Sequence, residues 1–275
     1  MAAFRVAILD MYNNQPGEGM RCIRQLLQRA QADNQVAFEV VEFNVRAKNE
    51  VPDLDFDIYV SSGGPGSPLA SGEAWEPLFF TFVDKLLAHN ERHERKKFML
   101  GICHSFQLMC RHLGVGTVSP RKSTSFGVLP MHLTATGQHD PVLHTLPEPF
   151  YAVDSRDYQV TDIQPAQLEA LGASVLCIEK ERPHVPLPRA VMAIRFSPEV
   201  LATQFHPEAD GEGMYRYMLT DVRKTQVITA YGEEKYDEMM ELLPRPDTIE
   251  LTESIIVPTF LRLALEGLRE PAFSM

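Results

Sequence analysis

The sequence lacks several features that would define its class at once. No run of about 18 or more apolar residues occurs, so no segment is expected to span a membrane. The four cysteines include no CxxC pair, and the nine histidines form no HExxH motif. Neither a disulfide framework nor a metal site is therefore expected. These absences predict free thiols, a cytoplasmic protein and a site without metal or other cofactor.

Basic residues are also in the minority. The chain has 26 Lys and Arg against 37 Asp and Glu, a formal net charge of −11. A nucleic-acid surface would be basic, so no nucleic-acid partner is expected. Hydrophobic residues make up 44% and charged residues 23%, which is typical of globular proteins. A length of 275 residues then suits one large domain, or a domain with an appendage.

Apolar runs alternate with helical patterns through the first part of the chain. That alternation is typical of a parallel sheet covered by helices, with sites at the carboxyl ends of the strands. Beyond residue 126 shorter apolar runs predict antiparallel and edge strands attached to this core. The predicted strands are 4–9, 37–45, 57–61 and 98–102, then 126–134, 150–153, 174–178, 190–196 and 200–204; the predicted helices are 19–31, 73–91 and 104–112.

One cysteine stands at the junction of a predicted strand and a predicted helix. Cys103 follows the strand at 98–102 and precedes the helix that begins at His104, with small residues Gly101 and Ser105 nearby. A nucleophile at such a turn is exposed above the sheet, and the helix N-terminus favours its thiolate. Taken alone, the position fits a catalytic thiol and a buried structural cysteine about equally well.

A glycine-rich turn, residues 63–66, follows the strand at 57–61. Such a loop offers free backbone N–H groups that can close over a developing oxyanion. We predict that the N–H groups of Gly64 and His104 are the two donors. The alternatives are an ordinary turn or a phosphate loop, but the Lys-Ser/Thr pair of a phosphate loop is absent.

A His-Pro-Glu segment follows the last apolar stretch before residue 210. Residues two apart on an extended chain project to the same side, so Glu208 can reach His206. Pro207 biases His206 towards an extended backbone. A histidine oriented by a carboxylate can take the thiol proton and later return it to a leaving group. A lone histidine would favour a surface loop, but three such features in this order are far more specific.

Together these segments resemble the class I, triad-type, glutamine amidotransferases. That family has G-x-C-x-G-x-Q at its nucleophile, S-G/N-G-P-G at its oxyanion strand and a terminal Q-F-H-P-E. The resemblance covers about residues 4–210. This part of the chain is similar to the glutaminase domain of GMP synthase. The residues that carry it are Gly101, Cys103, Ser105 and Gln107, Ser62 to Gly66, and Gln204 to Glu208.

The resemblance implies both a reaction and a set of roles. Cys103 forms a γ-glutamyl thioester, His206 is base and acid, and Glu208 orients His206. The substrate is L-glutamine, which is hydrolysed to glutamate and ammonia. No synthetase domain is recognised on the chain, so a separate synthetase is expected to accept the ammonia, and a homo-oligomer is compatible with this. Gly66 and Gln107 help to hold the amino acid.

Two positions depart from the family pattern. Ser105 stands where the family has glycine, which either tightens the turn or alters the fit of the substrate. Residues 154–158 stand where synthetase-linked members often have S-H-x-D, so Ser155, Arg156 and Tyr158 are candidate substrate-binding residues. Arg156 either clamps a carboxylate through two hydrogen bonds or forms a surface salt bridge.

Three other functions are compatible with parts of the pattern. Homoserine O-acyltransferases share the triad, a Ser-x-Arg-like segment and a helical C-terminal extension, but their oxyanion strand reads Gly-Ala-Pro. Another Cys-dependent amidase or a γ-glutamyl hydrolase would use the same triad. A non-catalytic binding module is disfavoured because all three triad positions are intact. Ammonia release from glutamine, beside a test with acyl-CoA and homoserine, separates these functions.

The last part of the chain is helical in pattern. We predict an α/β fold with an open, mostly parallel sheet flanked by helices. A catalytic domain is expected at 1–210, with a helical extension at 211–275 packed on it. Apolar stripes at 231–243 and 249–268 must be buried. They pack on the core beside the helix at 104–112, or they shape the entrance of the site or a docking surface for a partner.

Overall fold

The computed structural model describes residues 3–15, 17–182 and 187–269. Within them, nine strands form one sheet in the order β2-β1-β3-β4-β9-β8-β7-β5-β6. The first five strands of this order are parallel to one another. Helices cover both faces, which explains why every residue of β3, β4 and β9 is buried. The five strands are β1 (Phe4–Asp10), β2 (Phe38–Asn44), β3 (Ile58–Ser61), β4 (Phe98–Ile102) and β9 (Val200–Thr203).

The other half of the sheet is antiparallel and differs from the prediction in two respects. Strands β5 and β6 are longer than predicted, because their polar portions lack an apolar pattern and are paired by backbone hydrogen bonds. Strand β9, predicted among the attached strands, lies in the centre between β4 and β8. The antiparallel strands are β5 (Thr117–Leu133), β6 (Phe150–Thr161), β7 (Ser174–Glu179) and β8 (Val191–Ser197).

Helices α1 to α5 and α9 divide between two hydrophobic cores, one on each face of the sheet. Along β1, Val6 and Ile8 face the core that contains α1 and α9, whereas Ala7 and Leu9 face the core that contains α3 and α4. The predicted α/β fold is therefore confirmed. The helices are α1 (Glu18–Asn34), α2 (Val45–Lys48), α3 (Trp75–Arg92), α4 (His104–His112), α5 (Pro165–Leu171), α6 (Gly211–Met218), α7 (Asp221–Tyr231), α8 (Glu233–Leu242) and α9 (Leu251–Arg269).

The C-terminal helices occupy two different places. Helix α9 runs through Pro258 and packs against α1, on the opposite face from α4, so the predicted position beside α4 is wrong. Helices α6 to α8 form a third apolar cluster against β5 and β6, centred on Met218, Val227 and Met239. The division into domains at residue 210 stays a prediction. Among the described residues no helix has the length and apolarity needed to cross a membrane.

Candidate active site

A cavity of about 670 Å³ lies at the carboxyl ends of β3 and β4. Nine of the ten site residues predicted from the sequence line it, and the tenth, His104, directly follows Cys103 in the chain. The described residues contain no cluster of His, Cys, Asp and Glu side chains that would hold a metal ion. The nine lining residues are Gly64, Gly66, Cys103, Gln107, Ser155, Arg156, Tyr158, His206 and Glu208.

Cys103 forms the sharp turn between β4 and α4. Its backbone lies at φ 49° and ψ −96°, a conformation that non-glycine residues rarely adopt. Its N–H donates to the Thr203 carbonyl of β9 at 2.7 Å, and its carbonyl accepts the Gln107 N–H at 3.1 Å. Strain of this kind persists only where the surroundings hold it, and it clusters at functional sites. The turn thus directs the Cys103 thiol to the cavity, where the residue as a whole is only 6% exposed.

Ser105, the departure from the family glycine, is completely buried. Its hydroxyl oxygen lies 2.7 Å from the Ser61 hydroxyl and 2.7 Å from the Ser62 carbonyl. Both partners belong to the end of β3 and the start of the glycine-rich turn. Ser105 therefore ties the nucleophile turn to the neighbouring loop, and it does not line the cavity.

His206 and Glu208 are brought together where the chain leaves β9. The Nδ1 atom of His206 lies 2.8 Å from Oε1 of Glu208, and the His206 N–H donates to the Val153 carbonyl of β6 at 2.9 Å. Burial lowers the pKa of His206, but the negative charges of Glu208 and Cys103 outweigh it and raise that pKa well above its ordinary value. The His206 imidazole therefore holds its proton more strongly than an ordinary histidine does.

The glycine-rich loop packs too tightly for side chains. A methyl group placed on Gly64 would lie 2.2 Å from the Met11 carbonyl oxygen, and one on Gly63 would lie 2.9 Å from Cε1 of His206. Gly66 adopts φ 95°, where glycine is favoured. These three glycines allow the loop to approach both β1 and the imidazole. Its backbone therefore borders the space above Cys103.

Arg46 holds this loop from behind and was not predicted from the sequence. Its Nη1 donates to the Pro65 carbonyl at 2.5 Å and to the Met11 carbonyl at 3.1 Å. Its guanidinium lies over the Trp75 ring, 5.5 Å from the centroid. Burial lowers the pKa of Arg46. Arg46 lies in α2, a four-residue helix with no recognisable motif around it. No local signal in the sequence would therefore have identified it.

The imidazole of His104 points into the protein and not into the cavity. Burial lowers its pKa to about 3, with a further contribution from the charges of Arg46 and Arg111. Its Nε2 is buried and has no hydrogen-bond partner among the described residues. The imidazole is therefore neutral. The role predicted for His104 uses its backbone N–H, which lies at the start of α4, and that role stays a prediction.

A pair of buried glutamines contacts the nucleophile. Gln204 Nε2 lies 3.6 Å from Cys103 Sγ, and Gln204 Oε1 accepts a hydrogen bond from Gln107 Nε2 at 2.9 Å. Gln107 also donates to the Tyr158 carbonyl at 3.3 Å. The amide of Gln204 thus directs an N–H donor towards the Cys103 sulfur. Gln204 belongs to the quoted Q-F-H-P-E motif, yet we assigned it no role from the sequence.

Arg156 lies in an internal network of charged side chains. Its Nε donates to both carboxylate oxygens of Asp154 at 3.0 Å, and its Nη2 lies 3.3 Å from Oε1 of Glu179. The side chains of Arg156 and Asp154 are each 1% exposed, so this is not a surface salt bridge. The guanidinium already faces the carboxylates of Asp154 and Glu179 inside the protein. Its role as a clamp for a substrate carboxylate stays a prediction.

Tyr12 is a further cavity residue that the sequence did not suggest. A methyl group placed on Gly19, in the first turn of α1, would lie 2.2 Å from Tyr12 Oη and 3.1 Å from Glu208 Oε1. The phenol and the triad carboxylate thus meet beside this glycine. Burial raises the pKa of Tyr12, and the charges of Glu208 and Cys103 raise it further. The hydroxyl therefore stays protonated.

The other three cysteines are also free and buried. Burial raises the pKa of Cys22 to about 11, although Cys22 lines the cavity. Burial likewise raises the pKa values of Cys110 and Cys177. All three are therefore thiols at neutral pH, which makes them weak nucleophiles.

The far wall of the cavity is built by α6 and α7. From the sequence, a role of the C-terminal segment in shaping the site was one of two alternatives. The rings of Tyr231 and Phe126 stack with centroids 4.8 Å apart and attach α7 to β5. Arg21 joins α1 to the start of α6 through a 2.7 Å ion pair with Asp210. The residues of this wall that line the cavity include Met214, Tyr217, Met218, Arg223, Val227 and Tyr231.

Solved structures with the same fold include glutamine amidotransferases. One from Thermotoga maritima has a TM-score of 0.68 at 13% identity, covering 97% of this chain and 100% of that chain. One from Methylobacillus flagellatus has a TM-score of 0.66 at 14% identity, covering 98% and 96%. A putative GMP synthase subunit from Thermoplasma acidophilum has a TM-score of 0.51 at 17% identity, covering 76% and 87%. At these identities the likeness shows the fold.

Sequence comparison assigns the family. No curated protein matches this chain. A family model described as "Glutamine amidotransferase class-I" matches residues 20–223. That match covers most of the chain, including the glycine-rich loop, the nucleophile turn and the His-Pro-Glu segment. The chain therefore belongs to the class I glutamine amidotransferase family.

Proposed function

We propose that this chain is a glutaminase that hydrolyses L-glutamine through a thioester on Cys103. The observation that carries the proposal is the Cys103 turn itself, at positive φ above β4. It opens into the same cavity as the His206–Glu208 pair and the glycine-rich loop. Acyl transfer requires a nucleophile, a base oriented by a carboxylate, and backbone N–H donors for the oxyanion. Here the nucleophile would be the thiol on the strained Cys103 turn.

The reaction proceeds in two halves. The Cys103 thiolate attacks the γ-carbonyl carbon, and the oxyanion accepts hydrogen bonds from the N–H groups of Gly64 and His104. The imidazolium of His206 gives its proton to the departing ammonia. Neutral His206 then removes a proton from water, which attacks the thioester and releases glutamate and Cys103. Glu208 keeps Nδ1 of His206 protonated and oriented throughout.

The rest of the cavity holds the amino acid. Gly66, Gln107, Ser155, Arg156 and Tyr158 are proposed to bind its charged α-substituents. The ammonia is proposed to pass to a synthetase on another polypeptide, as family membership suggests. The Thermoplasma protein with this fold is described as part of a putative GMP synthase.

The test is release of ammonia and glutamate from glutamine by the purified chain. We expect turnover in the unchanged chain and none in Cys103→Ala. A diazo-ketone analogue of glutamine should label one thiol, and Cys22→Ala is the matched control because Cys22 lines the same cavity. Label on Cys22 in place of Cys103, or acyl transfer from acyl-CoA to homoserine without glutamine turnover, would contradict the proposal.

A further inference from the structure

The cavity is much larger than glutamine requires. Its volume of about 670 Å³ is in the middle of the ~300–1,000 Å³ range of pockets that bury drug-sized ligands. Glutamine is a single amino acid and would leave much of this space filled with water. The excess space is bounded by α6 and α7, whose residues Met214, Met218 and Val227 give it an apolar surface.

The α6–α7 wall stands on the leaving-group side of the site. His206 gives its proton to the leaving amine, so the amine must lie beside the imidazole. Val153 pairs with His206 through the backbone and packs in the same apolar cluster as Met218 and Val227. Helix α6 also begins at Gly211, three residues after Glu208 in the chain. The wall therefore borders the space into which the amine departs.

The charges in the cavity are mostly paired within the protein. Glu18 pairs with Arg21 at 2.6 Å, and Asp157 accepts a hydrogen bond from Thr124 at 2.5 Å. Arg223 of the wall has no carboxylate partner among the described residues. It donates to the side-chain oxygen of Gln226 at 2.9 Å and lies over the Tyr217 ring. Its remaining donors suit an anionic group.

We propose that the α6–α7 wall is a subsite for the amine half of a γ-glutamyl amide, namely an amine with an apolar body and a carboxylate. This inference rests on the proposed thioester chemistry. Met214, Met218 and Val227 contact the apolar body, and Arg223 pairs with the carboxylate. The preferred substrate is then a γ-glutamyl dipeptide with an apolar second residue.

The reaction balances without any further reagent. The Cys103 thiolate forms a bond to the γ-carbonyl carbon, and the C–N bond to the second amino acid breaks. The amine leaves with the proton of His206. Water then hydrolyses the thioester, so γ-glutamyl dipeptide and water yield glutamate and the free amino acid.

The first experiment compares three substrates of the full chain. They are L-glutamine, γ-glutamyl-leucine and γ-glutamyl-isopentylamide, which keeps the apolar body but lacks the carboxylate. Burial of a leucine side chain leads us to expect kcat/KM for γ-glutamyl-leucine to exceed that for glutamine roughly ten- to hundredfold. The isopentylamide should fall between them.

Two variants test the wall. Ala230→Trp fills the cavity from a position on α7 that lines it, and Thr229→Trp is its control on the same helix outside the cavity. We expect Ala230→Trp to lower kcat/KM for both large substrates about tenfold or more, with glutamine nearly unchanged. Arg223→Met should lower it about tenfold for γ-glutamyl-leucine alone. Arg216→Met, an exposed arginine of α6, is the control.

The outcomes separate this inference from the proposed function. Turnover of glutamine with no preference for γ-glutamyl-leucine overturns the subsite and leaves the glutaminase intact. Equal losses in Ala230→Trp and Thr229→Trp also overturn the subsite. Cleavage of γ-glutamyl-leucine without cleavage of glutamine supports the subsite and contradicts glutamine as the substrate. Failure of all three substrates with no label on Cys103 refutes both.

Discussion

The two sides of the cavity are constructed differently. On one side, Cys103 and the glycine-rich loop are held by backbone geometry, and α4 buries His104 through Cys110 behind them. On the other side, α7 is attached to the sheet by a few side chains, and Val227 is its one buried residue. The first side is fixed by backbone hydrogen bonds and a positive φ at Cys103, whereas the second presents side chains that can be replaced without changing the backbone. This comparison agrees with the two proposals above, in which the thioester chemistry belongs to the first side and the choice of leaving amine to the second.

The largest effect is expected from the nucleophile. Cys103→Ala should lower turnover by a factor on the order of 10⁵, because removing the nucleophile of a triad disables the whole unit. Steady-state glutamate release measures this. Cys22→Ala, Cys110→Ala and Cys177→Ala should each retain turnover, since burial raises the pKa of all three thiols. A second essential cysteine would contradict the assignment of Cys103 as the single nucleophile.

The next largest effect is expected for Glu208→Gln. Loss of an orienting carboxylate costs about 10⁴ in turnover in serine triads, with little change in affinity. The charge of Glu208 raises the pKa of His206, so its removal lowers that pKa.

This change in pKa has a definite sign in the pH profile of kcat/KM. His206 must be protonated to release the amine, so activity is lost as pH rises through the pKa of His206. The alkaline limb of Glu208→Gln should therefore move to lower pH, as a pH series on both proteins would show. An unmoved limb would mean that another group sets the charge of His206.

A smaller effect is expected for Arg46, which acts through the loop. Arg46→Met removes the hydrogen bonds to Pro65 and Met11 and should lower kcat roughly 10²-fold, comparable to the loss of one oxyanion donor. KM should change little, and Arg46→Lys should recover part of the rate. Lys48→Met on the same short helix is the control, since the one ion pair of Lys48 among the described residues is with Glu50, at 3.9 Å. Equal behaviour of the two Met variants would exclude this positioning role.

The smallest effects are expected within the C-terminal helices, and they are effects on stability. Leu265 of α9 is fully buried against the main core, so Leu265→Ala should lower the free energy of unfolding by about 2–5 kcal/mol. Tyr231 of α7 is 38% exposed and stacks on Phe126, so Tyr231→Ala should cost about 1 kcal/mol. Urea titration of both variants measures the difference. Similar losses would mean that the wall and α9 are equally integral to the core.

Local patterns in the chain were sufficient for the first four strands of the sheet. Buried strands and amphipathic helices leave apolar patterns of fixed period, so β1 to β4 and helices α1, α3 and α4 lie within a few residues of their predicted bounds. Cys103, His206 and Glu208 stand at strand ends, and parallel strand ends meet at one edge. Residue order therefore placed Cys103 at this edge, whereas His206 and Glu208 join it because β9 lies parallel to β4.

The remaining features depend on contacts between distant parts of the chain. The polar portions of β5 and β6 extend because each pairs with the other, and β9 lies in the centre because β4 accepts it there. Arg46 and Tyr12 reach the site only after β1 and β3 align, and no motif surrounds either residue. The wall of α6 and α7 likewise faces the cavity because it packs on β5 and β6. An amphipathic pattern shows that a helix is buried, but it does not show which surface receives it.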